Sequence, residues 1–236
     1  MLPPKEEYDF QAGATLLVDK PQDWTSFDVV NKIRFKLKRK LGVKKIKVGH
    51  AGTLDPMATG LLIICTGKNT KKIQQYQDLG KTYTGTITLG ATTPSYDAET
   101  EPDAFFPIDH IDEGKIINTT QQFIGEIQQI PPMFSAIKVD GQPLYKKARK
   151  GEVIERKPRT ITISEFTITS IEMPNVNFRV KCSKGTYIRS LAYDFGAALE
   201  SGAHLTKLIR TDIGDHSLEM AWNLDELVNY LEAESN

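Results

Sequence analysis

An α+β protein with a mixed or mainly antiparallel sheet is what the sequence predicts, on three observations. β-prone runs and amphipathic stretches intermingle along 236 residues, without the regular strand-helix-strand spacing of a doubly wound sheet. Two long β-prone runs, Thr160 to Ile171 and Val176 to Cys182, are joined through a turn at Pro174-Asn175. Lys81 to Gly90 alternates and is rich in threonine, as a half-buried strand should be.

Each element follows from local chemistry. Residues 1 to 13 are polar and expected to be loose. Thr15 to Val18 is a short strand, stopped at Asp19-Lys20-Pro21. Thr25-Ser26-Phe27-Asp28 has the capping-box pattern, and Val30, Ile33, Leu37 and Leu41 share one face, so a helix from 26 to 41 is expected, ending at Gly42. The five-residue apolar run Leu61 to Cys65 reads as a buried strand, followed by a short amphipathic turn to Tyr76. Residues 92 to 113 are acidic and expected to form a surface loop. Ile116 to Ile124 reads as a helix broken by Ile130-Pro131-Pro132-Met133. Ser135 to Val139 reads as a strand into a turn at Asp140-Gly141, Leu144 to Arg149 as a short basic helix, Thr186 to Leu199 as a helix, and 223 to 233 as the last one. No repeat, low-complexity linker or compositional break divides the chain, so one domain is the simpler expectation.

The first residues carry Lys5, Glu6, Glu7 and Asp9 and no apolar signal-peptide core, which points to the cytoplasm. Cys65 and Cys182 have no cysteine or histidine at metal-ligand spacing and read as core thiols. Thirty basic residues balance thirty acidic ones, yet the charges are segregated. Lys32, Arg34, Lys36, Lys38, Arg39, Lys40, Lys44, Lys45 and Lys47 fall together with no acid between them, while Asp97 to Glu113 holds seven acids and no lysine or arginine. A solvated helix surface would account for the basic run; so would a polyanion partner, because unrelieved positive charges repel one another and gain by releasing counterions from nucleic acid.

One carboxylate stands out. Gly49-His50-Ala51-Gly52-Thr53-Leu54-Asp55-Pro56-Met57-Ala58-Thr59-Gly60 puts Asp55 among three glycines and a proline, which cannot continue a helix or a regular strand. An ordinary tight turn would also use an Asp-Pro pair. The histidines His50, His110, His204 and His216 have no i, i+4 pair, and the glycine-rich loops match neither nucleotide-binding fingerprint, so a metal, triad or dinucleotide enzyme has no support. What remains is Asp55, Tyr83, Tyr187 and Arg189. An arginine within reach would keep the aspartate ionised, as a nucleophile requires. Tyrosine faces suit stacking on a base, though strand tyrosines are commonly packing residues.

Gly49 to Pro56 with Ala58-Thr59-Gly60, Lys81-Thr82-Tyr83, Cys182-Ser183-Lys184-Gly185-Thr186-Tyr187-Ile188-Arg189 and Gly202-Ala203-His204-Leu205, in that order, resemble the TruB family of tRNA pseudouridine synthases. Leu17-Val18-Asp19-Lys20-Pro21 and Ile130 to Ala136 match as well, so the resemblance spans residues 15 to 222. It implies the pseudouridine synthase fold, a mixed central sheet with flanking helices and a catalytic cleft. It also implies isomerisation of the uridine at position 55 in the T-loop of tRNA, without cofactor or metal. Residue by residue, it implies Asp55 as nucleophile, Tyr83 as the tyrosine that stacks on the target base, Tyr187 as a second active-site tyrosine and Arg189 as partner of the nucleophile. His50 would contact the flipped RNA, and Leu208 would line the uracil pocket.

Lys36, Lys38, Arg39, Lys40, Lys44, Lys45 and Lys47 are expected to grip RNA phosphates. Many bacterial members carry a further RNA-binding domain. Here an acidic helix near Leu224 to Leu231 closes the sequence, so the expected organisation is a flexible segment 1–14 and a single catalytic domain 15–236, with no separate C-terminal PUA domain, acting as a monomer. Two rivals remain: a non-catalytic tRNA-binding or folding protein using the same cleft, which would be expected to alter the nucleophile loop, and an aspartate-nucleophile hydrolase, which would want a metal-binding acid beside Asp55.

Overall fold

The structure, a computed structural model, describes residues 8–139 and 141–233. The chain forms two compact units, one running to Tyr83 and resuming at Leu208, the other Thr84–Lys207. The division falls inside two strands, which is why no linker composition announces it.

The first unit begins with β1 (Thr15–Lys20), α1 (Ser26–Lys40), β2 (Val48–Ala51) and β3 (Thr59–Thr66). A 3₁₀ turn over Gly67–Lys72 leads into α2 (Ile73–Asp78) and then β4 (Lys81–Leu89), which crosses into the second unit. The capping box at Thr25 and Asp28 forms as the sequence predicts, and α1 buries Val29, Val30, Ile33 and Leu37. β3 is buried along almost its whole length and pairs antiparallel with β1, Thr15 opposite Cys65 and Lys20 opposite Gly60. Phe10 and Ala14, within the segment expected to be loose, are buried in the core with Leu16 and Val18. Residues 1–7 lie outside the described ones.

In the second unit β5 (Ala91–Thr92) pairs with β6 (Ala104–Phe105), and α3 (Glu113–Thr120) runs through a 3₁₀ turn into β7 (Gly125–Gln129). The helix expected to reach Ile124 therefore stops earlier. β8 (Lys138–Val139) and β9 (Gln142–Pro143) form a small ladder, shorter than the strand expected from Ser135, and α4 (Leu144–Ala148) follows. The turn expected at Asp140-Gly141 cannot be followed through Asp140, which lies outside the described residues. β10 (Arg159–Glu172) and β11 (Asn175–Cys182) make the long antiparallel hairpin, with β7 on the outer edge of β10. α5 (Ile188–Ala198) buries Phe195 against Phe166 and Phe123, rings meeting edge-on at 5.3 and 6.1 Å.

The chain returns through β12 (Ala203–Ile213), β13 (His216–Ser217), β14 (Trp222–Asn223) and α6 (Leu224–Glu232). β12 is the main strand that sequence pattern does not reveal: Lys207 and Arg210 interrupt its apolar alternation. In the first unit β14 lies parallel to β1, and α6 buries Leu224, Leu227, Val228 and Leu231 in the same core as α1. Strands of both directions with helices beside them give the α+β architecture expected. Among the described residues no helix is long and apolar enough to cross a membrane.

Candidate active site

Asp55 sits in the loop between β2 and β3, and the backbone around it is fixed from several sides. The buried Ser26 hydroxyl, in the first turn of α1, accepts from the Leu54 N–H at 2.9 Å and faces the Leu54 carbonyl at 3.3 Å. On the other side of Asp55, the Pro56 carbonyl accepts from the Asp23 N–H at 2.8 Å and from the Lys20 ammonium at 3.2 Å. The Asp55 carbonyl accepts from the Ala58 N–H at 3.1 Å, closing a turn with proline at its second position. Gly60 has φ +101, and a Cβ there would collide with the backbone of Arg210, so strand and loop meet at a point only glycine tolerates. Asp55 itself is half-buried, within reach of solvent.

The open edge of β3 explains how the loop is held. β12 pairs parallel with β3 at Thr59 and Gly60, and β2 pairs antiparallel with it from Ile63 to Thr66. Leu61 and Leu62 thus face a gap between the two partners. Arg210 fills it. Its guanidinium donates to the Leu61 carbonyl at 2.8 Å and to the Gly52 carbonyl at 3.1 Å, tying the start of the Asp55 loop to the strand at its end. Arg210 is 1% exposed, so these charge-assisted bonds lie away from competing water.

Lys20 is the second buried cation. Its ammonium donates to the carbonyls of Pro21, Trp24 and Pro56, at 2.9, 2.6 and 3.2 Å, using all three protons. Burial pulls its pKa down to about 8, with the negative charge of Asp55 the strongest of the influences that hold it up. Burial, and then the charge of Arg210, likewise push the His50 imidazole below its usual value, so His50 is neutral at pH 7. Tyr83, at the end of the first unit's share of β4, is 8% exposed, and Leu208 in β12 is also buried.

Tyr187 and Arg189 belong to the second unit. Tyr187 precedes α5 and is fixed by Gln129, whose side chain accepts from the Tyr187 N–H at 2.8 Å and donates to its carbonyl at 3.1 Å. The Arg159 guanidinium lies 5.4 Å from the centre of the Tyr187 ring. Arg189 is buried. It donates to the carbonyls of Ser95 at 3.1 Å and Phe134 at 2.8 Å, and its Nε lies 3.4 Å from Asp97 Oδ2. Asp97 is fully buried and accepts from the Ser95 hydroxyl at 2.6 Å and the Glu99 N–H at 2.9 Å. The acidic stretch expected on the surface therefore carries a structural anion, because Arg189 supplies the opposite charge that makes burial tolerable.

Within the first unit the structure groups Asp55, His50, Lys20 and Arg210, and within the second Arg189 with Asp97. Of these, Lys20, Arg210 and Asp97 have no role that sequence pattern assigns. A charged residue at the inward phase of an apolar strand is the signal that could have found the first two. The basic run is used unevenly: Lys36 pairs with Glu232 and Lys40 donates to the Ala233 carbonyl at 2.8 Å, both turned toward α6, while Lys38, Arg39, Lys44, Lys45 and Lys47 stay exposed. Among the described residues no group of three or more His, Cys, Asp or Glu is placed to hold a metal.

The solved complex of Cbf5, Nop10 and Gar1 contains a chain 32% identical to this one, with a TM-score of 0.70 over 98% of this chain and 58% of that chain. A structure of an H/ACA RNP bound to a substrate RNA containing 2′-deoxyuridine matches at 30% identity and a TM-score of 0.68, over 97% of this chain and 57% of that one. Residues 38–188 match the family described as TruB family pseudouridylate synthase (N terminal domain). The protein named tRNA pseudouridine synthase B from Flavobacterium johnsoniae is 60% identical over 90% of this chain and 93% of its own length. The protein of the same name from Phocaeicola vulgatus is 55% identical over 95% of both. The fold, with the family match and the named relatives, defines a pseudouridine synthase, an isomerase. The chain belongs to the TruB family.

Proposed function

We propose that this chain isomerises the uridine at position 55 in the T-loop of tRNA to pseudouridine, in the cytoplasm and as a monomer, with Asp55 as the nucleophile. The observation that carries this reading is the Asp55 loop: a half-buried aspartate on backbone clamped at Leu54 and Pro56. A nucleophile must meet its target atom without the loop retreating, and that rigidity is what positioning requires. Relatives named tRNA pseudouridine synthase B, similar over nearly their whole length, support tRNA as the substrate.

The chemistry breaks the C1′–N1 bond, turns the uracil over and joins C1′ to C5. The C5 proton leaves and N1 ends protonated, whether Asp55 first bonds C1′ or C6. The base must leave the loop's stack, which costs a few kcal/mol, and stacking on an aromatic ring worth roughly 1 to 3 kcal/mol offsets part of it. Tyr83 takes that role in this reading, Tyr187 and Arg189 the supporting roles the resemblance implies, and His50 and Leu208 the contacts to the flipped nucleotide.

Tritium release from tRNA labelled at uridine C5 is the test. Wild-type protein should release tritium, and Asp55→Asn should lose release while binding tRNA within several-fold. Normal release by Asp55→Asn would remove it as nucleophile; tRNA binding without release by the wild type would instead favour a binding or folding role.

A further inference from the structure

One short arc of chain holds Arg189 from two sides. Ser95 offers its guanidinium a carbonyl at 3.1 Å and Asp97 a carboxylate oxygen at 3.4 Å, and the residue between them is Tyr96. Tyr96 turns the chain there with φ +65, a left-handed conformation that glycine adopts freely and a bulky side chain does not. Such a residue stays in place only where its surroundings hold it.

Part of the hold is backbone. The Tyr96 N–H donates to the Thr93 carbonyl at 3.1 Å, and the Tyr96 carbonyl accepts from the Leu205 N–H of β12 at 3.0 Å. The rest comes from α5. The Tyr96 ring lies on the ring of Tyr193, their centres 4.1 Å apart and their planes 23° from parallel, and both rings are half-buried. Arg189 and Tyr193 are four residues apart on α5, so both project from the same face. The arc therefore meets that face at two points, one polar at Arg189 and one aromatic at Tyr193. Two points fix an orientation, where one leaves a pivot.

We propose that Tyr96 and Tyr193 are positioning residues for the isomerisation: their stack holds the Ser95–Asp97 arc against α5 and so sets the direction of the Arg189 guanidinium. A guanidinium is a planar fork, and its donors point where its acceptors stand. If the arc tilts, the fork tilts with it. Neither tyrosine belongs to a motif in the sequence, and neither has a role that the family resemblance implies. The inference rests on the supporting role proposed for Arg189 and extends it to the two rings.

The test uses the full chain with three substitutions made singly. Tyr193→Leu removes the stack but keeps an apolar side chain, Tyr193→Phe keeps the ring, and Tyr96→Gly removes the stack while suiting the left-handed backbone. In Tyr193→Leu and Tyr96→Gly, single-turnover tritium release should slow about ten- to a hundredfold with tRNA affinity within about twofold, and Tyr193→Phe should match the wild type. In an Arg189→Lys background, Tyr193→Leu should slow release by no more than about twofold further, because the group it positions is gone. Slowing by the same factor in both backgrounds would overturn the proposal. So would wild-type release in both ring-removing variants.

A second measurement does not depend on activity. Exchange of the buried Arg189 Nε–H with water, followed by NMR and assigned by its absence from Arg189→Lys, should quicken about tenfold in both ring-removing variants while backbone amides of β10 keep their rates. Unchanged Nε–H exchange, or equal quickening in β10, would overturn the positioning role and leave the functional reading standing. No release by the wild type, or normal release by Arg189→Lys, would strike the functional reading instead, and Nε–H exchange would still judge the stack.

Discussion

Arg210 occupies a position in β12 where strand alternation expects an aliphatic side chain, and its value lies in what it completes. Two carbonyls, Leu61 and Gly52, have the guanidinium as their partner at the gap between β2 and β12. Removing it leaves the buried Leu61 carbonyl without this donor, at about 1 to 3 kcal/mol. Such a cation marks itself only as a charge at the inward phase of its strand, and the acceptors it serves, Leu61 and Gly52, lie about 150 positions away in sequence. Lys20 falls inside a recognisable motif and still shows no role by sequence, for the same reason: three carbonyl acceptors from a strand end, a turn and the Asp55 loop are contacts that only the folded chain assembles.

Lys20 also gives the site a pH dependence. Its folded pKa of about 8 lies below the unfolded 10.5, so between those values the unfolded chain holds more protons, and this group's contribution to stability rises with pH. Activity should go the other way. Above pH 8 the neutral amine has two protons for three carbonyls, and the positive charge near Asp55 is gone. Single-turnover tritium release should show an alkaline limb with a midpoint of about 8, and Lys20→Met should lack that limb. A wild-type profile flat to pH 9.5 would sink this assignment.

At the scale of elements, the Asp55 loop shows why local pattern was informative. Three glycines and a proline announced a backbone that no regular element accommodates, and the capping box at Thr25 announced α1, whose first turn supplies Ser26 to hold Leu54. What the pattern did not announce was how short the irregular part is: Gly49, His50 and Ala51 already belong to β2. β2 and β7 leave little trace in the sequence, because four or five residues with few β-branched side chains carry little periodicity. Gly60→Ala combines a strained φ with a collision against the Arg210 backbone. It should lower stability by about 2 kcal/mol or more and depress tritium release further than that loss explains, measured by urea unfolding alongside activity. Ordinary stability with full activity would show that the junction can relax.

At the scale of the molecule, the first unit takes its core from both ends of the sequence. Leu227 of α6 is fully buried with Ile33 and Leu37 of α1 and Leu16 of β1. Leu227→Ala should cost about 2 to 5 kcal/mol, read as a lower urea midpoint, even though residue 227 is far from Asp55 in sequence. The exposed contact between Lys36 and Glu232 adds little beside that burial. The division between the two units passes through β4 and β12, where composition does not change. The fold class was legible because strand and helix patterns are local. The pairing of β14 with β1 was not, since it joins residues about two hundred positions apart.

That pairing constrains biosynthesis. A ribosome makes β1, α1 and the whole Asp55 hairpin early, yet β14 and α6, which close the core beneath them, follow only about two hundred positions after β1. The nascent chain must therefore wait, with part of this core uncovered, until α6 has been made. A translation stall shortly after Arg210 would leave every residue of the nucleophile loop made and no completed scaffold to carry it.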